Sequence, residues 1–286
     1  MGSASGLAAA MCAADTAGRP IVWTRLQRWR SSPSMKPALQ LQAASGTHRG
    51  DREYQQDRVA ILAHPRVPGL LLALVADGMG GRSGGRMASD QLVMTAQQLF
   101  DAHAPQQRTP RELLQAIQRE SHLMIRLNAI SSEQEPHSTW AGVLLEPDGQ
   151  CHWAHVGDSR VHVIRDGELL RRTSDHSYVQ ELVDSGRLSA AAARNHAMSN
   201  VLTASLGMPD DPPFVTDTVA LQAGDSVMLC SDGLWHYFTD QELAKVVSRL
   251  EPRAACAYLI EQARERAGGR GDNLSLAVLK LREASR

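Results

Sequence analysis

Apolar residues in this chain come in short bursts more than in long helical stripes. The strongest burst, Leu70-Leu71-Leu72-Ala73-Leu74-Val75-Ala76, lies between Pro68-Gly69 and Gly78 and predicts a buried strand. It stops at Asp77, and the glycine-rich turn Gly78-Met79-Gly80-Gly81 follows at once. Strand patterns recur at 58–63, 139–145, 151–156, 160–164, 215–221, 226–230 and 273–281. The turns Pro147-Asp148-Gly149 and Asp166-Gly167 make the middle of the chain an antiparallel meander. Helical patterns are expected at 85–103, from Thr109 to about Asn128, at 177–186, after Thr239 and at 252–267. Two starts carry capping boxes, Thr109 with Pro110 and Glu112, and Thr239 with Glu242. Strands outnumber helices, and the helices come in two consecutive pairs. The pattern therefore predicts an α+β fold, helices packed on antiparallel sheets, instead of a parallel βαβ fold.

Before residue 41 the pattern fades. Residues 1–40 read as a flexible tail, in which Trp23, Leu26 and Trp29 are spaced for one short helical face. Residues 41–286 read as one folded domain. Within it, 177–214 interrupts the strand rhythm, ends at Pro209, Pro212 and Pro213, and is expected to be a mobile flap.

Composition removes several classes. The 286 residues are 43% hydrophobic and carry a formal net charge of −1, so neither nucleic acid nor an anionic membrane surface is expected as a partner. The four cysteines, Cys12, Cys151, Cys230 and Cys256, form no CxxC pair, which argues against a disulfide framework or zinc knuckle. No run is long enough to span a membrane, the N-terminus has no signal-peptide pattern, and Gly6 stands where myristoylation needs Ser or Thr. A cytoplasmic monomer is expected.

The candidate chemistry lies where strands end. Asp57, Asp77-Gly78, Gly157-Asp158-Ser159-Arg160, Ser231-Asp232-Gly233 and Gly271-Asp272-Asn273 each set a carboxylate beside small residues and, for most, beside an apolar strand. One Asp next to a glycine is an ordinary turn. Five such coincidences suggest an oxygen-only cluster, which suits hard cations such as Mg²⁺ or Mn²⁺. Two ions sharing a carboxylate can hold and ionise a water for attack on phosphorus. The glycine turn is a poor dinucleotide fingerprint, because Ser83 occupies the third glycine position and Asp77 would repel a pyrophosphate. None of the cysteines opens a CX5R loop, and Cys230 reads as core. His152 and His155 fall on opposite faces of a strand and share no metal. Arg160 is a candidate ion-pair partner for a nearby Asp; Leu234 and Trp235 read as packing.

In order along the chain, these segments resemble the motifs of the metal-dependent protein phosphatases of type 2C, especially bacterial members. The first is Gly50-Asp51-Arg52-Glu53-Tyr54-Gln55-Gln56-Asp57, and the second Val75-Ala76-Asp77-Gly78-Met79-Gly80-Gly81. Then come Ser138-Thr139, Val156-Gly157-Asp158-Ser159-Arg160, and a middle from Asp175-His176-Ser177 through Gly186 and His196 to Asn200-Val201-Leu202-Thr203. The last are Leu229-Cys230-Ser231-Asp232-Gly233-Leu234-Trp235 and Gly271-Asp272-Asn273-Leu274-Ser275. The resemblance covers about residues 42–282.

The resemblance implies an αββα sandwich and a protein serine/threonine phosphatase using Mn²⁺ or Mg²⁺. In that family a hydroxide held by two ions attacks phosphoserine or phosphothreonine. Asp77 would bridge the ions, the Gly78 carbonyl would bind the second, and Asp232 and Asp272 would hold the first. Asp57 would support the second through water, Arg52 would clamp the phosphoryl group, and Asp158 with Asp232 would hold a third ion. The implied partners are phosphorylated proteins, substrates of a cognate serine/threonine kinase. Gln56 departs from a Glu seen in many members, and Met79 from a His of animal members that is proposed as general acid. A catalytically silent relative and a phosphatase of small molecules are the alternatives.

Overall fold

The computed structural model describes residues 23–28, 39–130, 135–194 and 196–283. The described residues open with β1 (Trp23–Arg28) and β2 (Leu39–His48), then the hairpin β3 (Arg58–Ala63) and β4 (Leu71–Ala76). A short β5 (Gly78–Met79) leads into α1 (Gly81–Ala102) and α2 (Pro110–Ile130). Next come β6 (His137–Ser138), β7 (Trp140–Leu145), β8 (Gln150–Val156), β9 (Arg160–Arg165) and β10 (Glu168–Arg172). The short helices α3 (Tyr178–Asp184) and α4 (Ala190–Ala193) precede β11 (Val215–Ala220) and β12 (Ser226–Cys230). The order closes with α5 (Asp232–Trp235), α6 (Asp240–Arg249), α7 (Pro252–Ala267) and β13 (Leu274–Glu283).

Side chains alternate across a strand, and β4 uses both faces. Leu72, Leu74 and Ala76 pack with Leu92, Phe100, Leu113 and Ile117 of α1 and α2. Leu71, Ala73 and Val75 pack instead with Val161, Val163, Val227, Leu229, Ala277 and Leu279 of another sheet. That sheet is β1-β2-β13-β12-β9-β10, and the sheet containing β4 is β11-β8-β7-β4-β3; neighbours in both are antiparallel. On the outer face of the six-stranded sheet, Met228, Cys230, Leu276 and Val278 meet Leu243, Val247, Leu259 and Ile260 of α6 and α7. Three apolar layers thus alternate with four structural ones, giving the expected αββα sandwich. Each fully buried leucine contributes about 1.5–3 kcal/mol. Among the described residues no helix is long and apolar enough to cross a membrane.

Register decides which strand ends meet. Arg58 pairs with Ala76, so the next step outward sets Asp57 across from Asp77. Cys230 pairs with Arg160, so two steps outward Asp232 faces Asp158. His48 pairs with Leu274, which brings Asp272 to the loop after β2. Five aspartates separated by up to 215 residues therefore gather at one end of the sandwich.

Three expectations need correction. The helical turn expected around Trp23 and Leu26 is a strand, with Trp23 opposite Ser45 and Arg28 opposite Gln40; Trp29 lies outside the described residues. An open strand edge carries unpaired backbone groups that recruit an extended segment more readily than a helix. Helix α1 begins at Gly81, four residues before its expected start, because the glycine turn itself enters the helix. The flap is shorter than 177–214. Tyr178 N–H donates to Val201 O at 2.9 Å, Ser177 bridges Leu202, and Ala204–Leu206 are already buried. The excursion from the core is therefore 178–201.

Candidate active site

Asp57 is the deepest of the five carboxylates, 2% exposed. Ser231 Oγ donates to its Oδ2 at 2.7 Å, while its Oδ1 is buried without a partner. Burial, reinforced by Asp232 and Asp272 nearby, pushes its carboxyl up to about 7. Asp77 follows β4, one step past the Ala76–Arg58 pair, and so lies across from Asp57. Burial and then the charges of Asp57, Asp232, Asp158 and Asp272 hold it well above the usual carboxylate range. Burial likewise raises Asp158 and Asp232, each with a neighbouring aspartate as the next cause. Asp272 is the most open, with its side chain 41% exposed. Its Oδ2 accepts from Arg52 Nη2 at 2.6 Å and its Oδ1 from the Asn273 amide at 2.7 Å. Arg52 thus faces a carboxylate of the cluster.

Gly78 could carry no side chain. A Cβ there would sit 2.0 Å from Gly85 O, and one on Gly85 would sit 2.5 Å from Gly78 O. This close approach presses the glycine turn against the start of α1. Gln56 holds the same turn: its Nε2 donates to Gly81 O at 2.6 Å and its carbonyl accepts from Ser89 Oγ. An ionised Glu could not donate there, so Gln56 has a structural role of its own.

Several supporting residues escaped the sequence reading. Asn273 ties down the loop carrying Arg52, donating Nδ2 to Arg49 O and Tyr54 O at 2.9 Å and accepting from Gln56 N at 2.7 Å. Thr139 Oγ1 accepts from Asp77 N at 3.1 Å and meets Ser159 Oγ at 2.6 Å, joining the Asp77 and Asp158 turns. Arg160 makes the expected ion pair, a fork onto Asp175 at 2.8 and 2.6 Å. Its guanidinium lies 3.4 Å from the centre of the Trp235 ring. Trp235 does more than pack, since its Nε1–H donates to Asp158 O at 2.9 Å. His176 Nδ1 accepts from Gly157 N at 3.1 Å, and burial beside His155 pushes this imidazole down to about 4. Cys230 is core, as expected. His152 bonds Glu146 and Thr218, while His155 bonds Ser174 O, so they share nothing.

The residues fit divalent cations. The donors are hard oxygens, the Asp57 Oδ1 is an orphaned buried acceptor, and five crowded carboxylates are set against the Arg52 and Arg160 guanidiniums, the second already paired with Asp175. No three His, Cys, Asp or Glu among the described residues are already closed into a coordination group. Like charges hold themselves apart, and Asp272 is turned to Arg52. The set is a convergence of charge that an ion would tighten.

Comparison with known proteins gives the family. Residues 46–264 match the family model described as Protein phosphatase 2C. Protein phosphatase PhpP of Streptococcus pneumoniae is 31% identical over 216 residues, 75% of this chain and 87% of that protein. The serine/threonine protein phosphatase PstP of Mycobacterium tuberculosis is 32% identical over 210 residues, 73% of this chain but only 40% of PstP. The structure of the PstP catalytic domain in complex with two manganese ions superposes with a TM-score of 0.71 at 28% identity, covering 86% of this chain and all of that one. The S. agalactiae serine/threonine phosphatase gives 0.70 at 26% identity over 92% and 99%. The chain belongs to the protein phosphatase 2C family and is a serine/threonine protein phosphatase.

Proposed function

We propose that the five aspartates form a binuclear Mn²⁺ or Mg²⁺ centre that hydrolyses phosphoserine and phosphothreonine in proteins. The observation that carries this reading is the convergence of Asp57, Asp77, Asp158, Asp232 and Asp272, with the Asp57 Oδ1 orphaned at its base. Asp77, Asp232, Asp272 and the Gly78 carbonyl would hold the two ions, with Asp57 supporting them from the most buried position. Asp158 with Asp232 would hold a third ion. When bound, such ions make a water acidic enough to attack phosphorus at neutral pH.

The chain's own residues supply the rest. Arg52, on an exposed loop anchored by Asn273, can turn from Asp272 to the phosphoryl oxygens in a charge-assisted fork. That exchange would leave an Asp272 oxygen open to a cation. Met79 has no proton for the leaving alkoxide. Residues 39–283, with β1 added at the sheet edge, are the catalytic unit. The substrates are proteins phosphorylated by a cognate kinase, and the enzyme acts as a monomer in the cytoplasm.

The test is phosphopeptide hydrolysis by the purified chain with Mn²⁺, with and without chelator, alongside Asp232→Asn. That change keeps shape and removes a ligand charge, so turnover should collapse while the melting temperature holds. Near-normal Mn²⁺-dependent turnover in the variant would remove Asp232 from the centre.

A further inference from the structure

The loop that carries Arg52 is pressed onto the turn between α7 and β13. Gly50 has φ +64°, and a Cβ there would sit 2.0 Å from Asp272 O and 2.7 Å from Gly271 O. Asp51 fastens the contact: its N–H donates to Gly271 O at 2.9 Å, and its Oδ2 accepts from Gly271 N at 2.7 Å. Arg49 precedes Gly50 and Arg270 precedes Gly271, so the two arginines come to one rim, with Arg52 on the same loop. Arg264, in the last turn of α7, joins them, its Nη2 3.8 Å from Asp51 Oδ1.

The fold makes little use of these side chains. A cation near a helix C-terminus favours the helix, and Arg266 is committed to the fold, bonded to Tyr237 O and Glu242 and lying over Phe238. Arg264 reaches only Asp51, beyond hydrogen-bond distance. Arg49 meets a backbone carbonyl, Glu53 O, at 3.4 Å. Among the described residues Arg270 makes no side-chain hydrogen bond or ion pair, and all three arginines are exposed. The nearby acids are engaged: Asp51 by Gly271 N, Asp272 by Arg52, and Glu53 by the Tyr54 hydroxyl at 2.7 Å. His48, whose Nδ1 accepts the Gly50 N–H at 2.8 Å, feels the balance. Burial and then Arg264 hold it below its ordinary value, with Asp51 opposing and Arg49 adding. The turn is also open to approach, since a Cβ on Gly268 or Gly269 would meet nothing within 4 Å.

We propose that Arg49, Arg264 and Arg270 form a cationic rim that selects phosphoproteins carrying further negative charge, carboxylate or a second phosphoryl group, next to the phosphorylated residue; this rests on the reading of Arg52 and the aspartates as the phosphoryl site. Arg52 takes the scissile phosphoryl group, and the neighbouring anion meets the three arginines over open surface. Basic flanks are repelled from the same rim.

The test uses the full chain with Mn²⁺ and phosphothreonine peptides that differ only in the two residues flanking the phosphothreonine. These are both Ala, both Glu, both Lys, or both a phosphonate analogue of phosphoserine that cannot be hydrolysed. Nitrophenyl phosphate, which has no flanks, is the control. Two exposed ion pairs set the scale, so kcat/KM for the Glu peptide should exceed that for the Ala peptide about tenfold, mostly through KM, with the Lys peptide below both. At about 1 M salt the preference should shrink towards unity. A preference for either anion over Ala supports the rim, and the stronger of the two names its source. Arg49→Gln with Arg270→Gln should erase the preference and leave nitrophenyl phosphate hydrolysis and Tm unchanged. Arg49→Glu with Arg270→Glu should make the Lys peptide the better substrate. The proposal is overturned if the wild-type chain treats both anionic peptides like the Ala peptide. It is also overturned if the double Gln variant keeps the preference, or loses nitrophenyl phosphate turnover in parallel. If the wild-type chain hydrolyses none of these substrates, the phosphoryl-site reading falls. Fluorescence anisotropy of the same peptides then still decides the rim, and equal affinity for the anionic and Ala peptides overturns it.

Discussion

Arg52 and Gln56 lie four residues apart on one loop, and their contacts separate binding from support. Arg52 touches only Asp272 among the cluster's side chains, and its side chain is 63% exposed. A hydrogen bond to a charged group contributes about 1.5–3 kcal/mol, so Arg52→Ala should lower kcat/KM roughly 10- to 150-fold. Mn²⁺ affinity, freed of competition for Asp272, should hold or rise; loss of Mn²⁺ would make Arg52 structural. Gln56→Glu should act the other way. It adds a carboxylate beside the cluster and breaks the bond to Gly81 O, so Mn²⁺ should bind more tightly while the metal-free chain loses about 1 kcal/mol. Calorimetry and chelated unfolding on this variant check both signs. The aspartates were legible because an Asp at the end of an apolar strand is a local signal. Asn273, Thr139, Trp235 and His176 were quoted within motifs, but their roles were not readable. Each acts through a hydrogen bond to a residue 19 or more positions away, and no spacing records that.

At the scale of elements, the clearest sequence signals were the ones satisfied within a few residues. Thr239 and Glu242 form the full capping box of α6, and Thr109 with Glu112 repeats it on α2. Thr239→Ala should therefore cost about 0.5–2 kcal/mol with activity intact, measured by urea unfolding. Leu74, fully buried between β4 and the α1–α2 pair, should cost about 2–5 kcal/mol as Leu74→Ala. A smaller loss there than for Thr239→Ala would mean that this layer is loosely packed. Where an element depends on a distant partner, the pattern misled. β1 exists as a strand because β2 offers an edge, and the excursion ends at Val201 because Thr203 finds His176. Strand order has the same origin: alternation predicts two-faced strands but not that β13 lies between β2 and β12.

The whole molecule titrates in two opposed ways. Burial holds eight histidines below their ordinary value, among them His162 and His176. They stay neutral in the fold, while the unfolded chain takes up protons near pH 6.5. Their stability is complete above about 6.5 and is lost as pH falls, by about 1.4 kcal/mol per pH unit for a fully buried group such as His162. The raised carboxylates work in reverse: in the metal-free chain they subtract stability as pH climbs from about 4 towards, for Asp57, about 7. Mn²⁺ removes that penalty only where the carboxylates are ionised. It should add about 2.7 kcal/mol at a hundredfold excess over Kd at pH 7.5 and clearly less at pH 5.5. An equal rise in Tm at both pH values would place the ion elsewhere. The central position of β13 also bears on synthesis. Asp272 and Asn273 immediately precede this strand, which pairs on both sides with strands made earlier. A nascent chain still holding residues 272–283 in the ribosome has neither a closed sheet nor an anchored Arg52 loop. Phosphatase activity should therefore arise in one step once residues 272–283 have emerged, never in a shorter growing fragment.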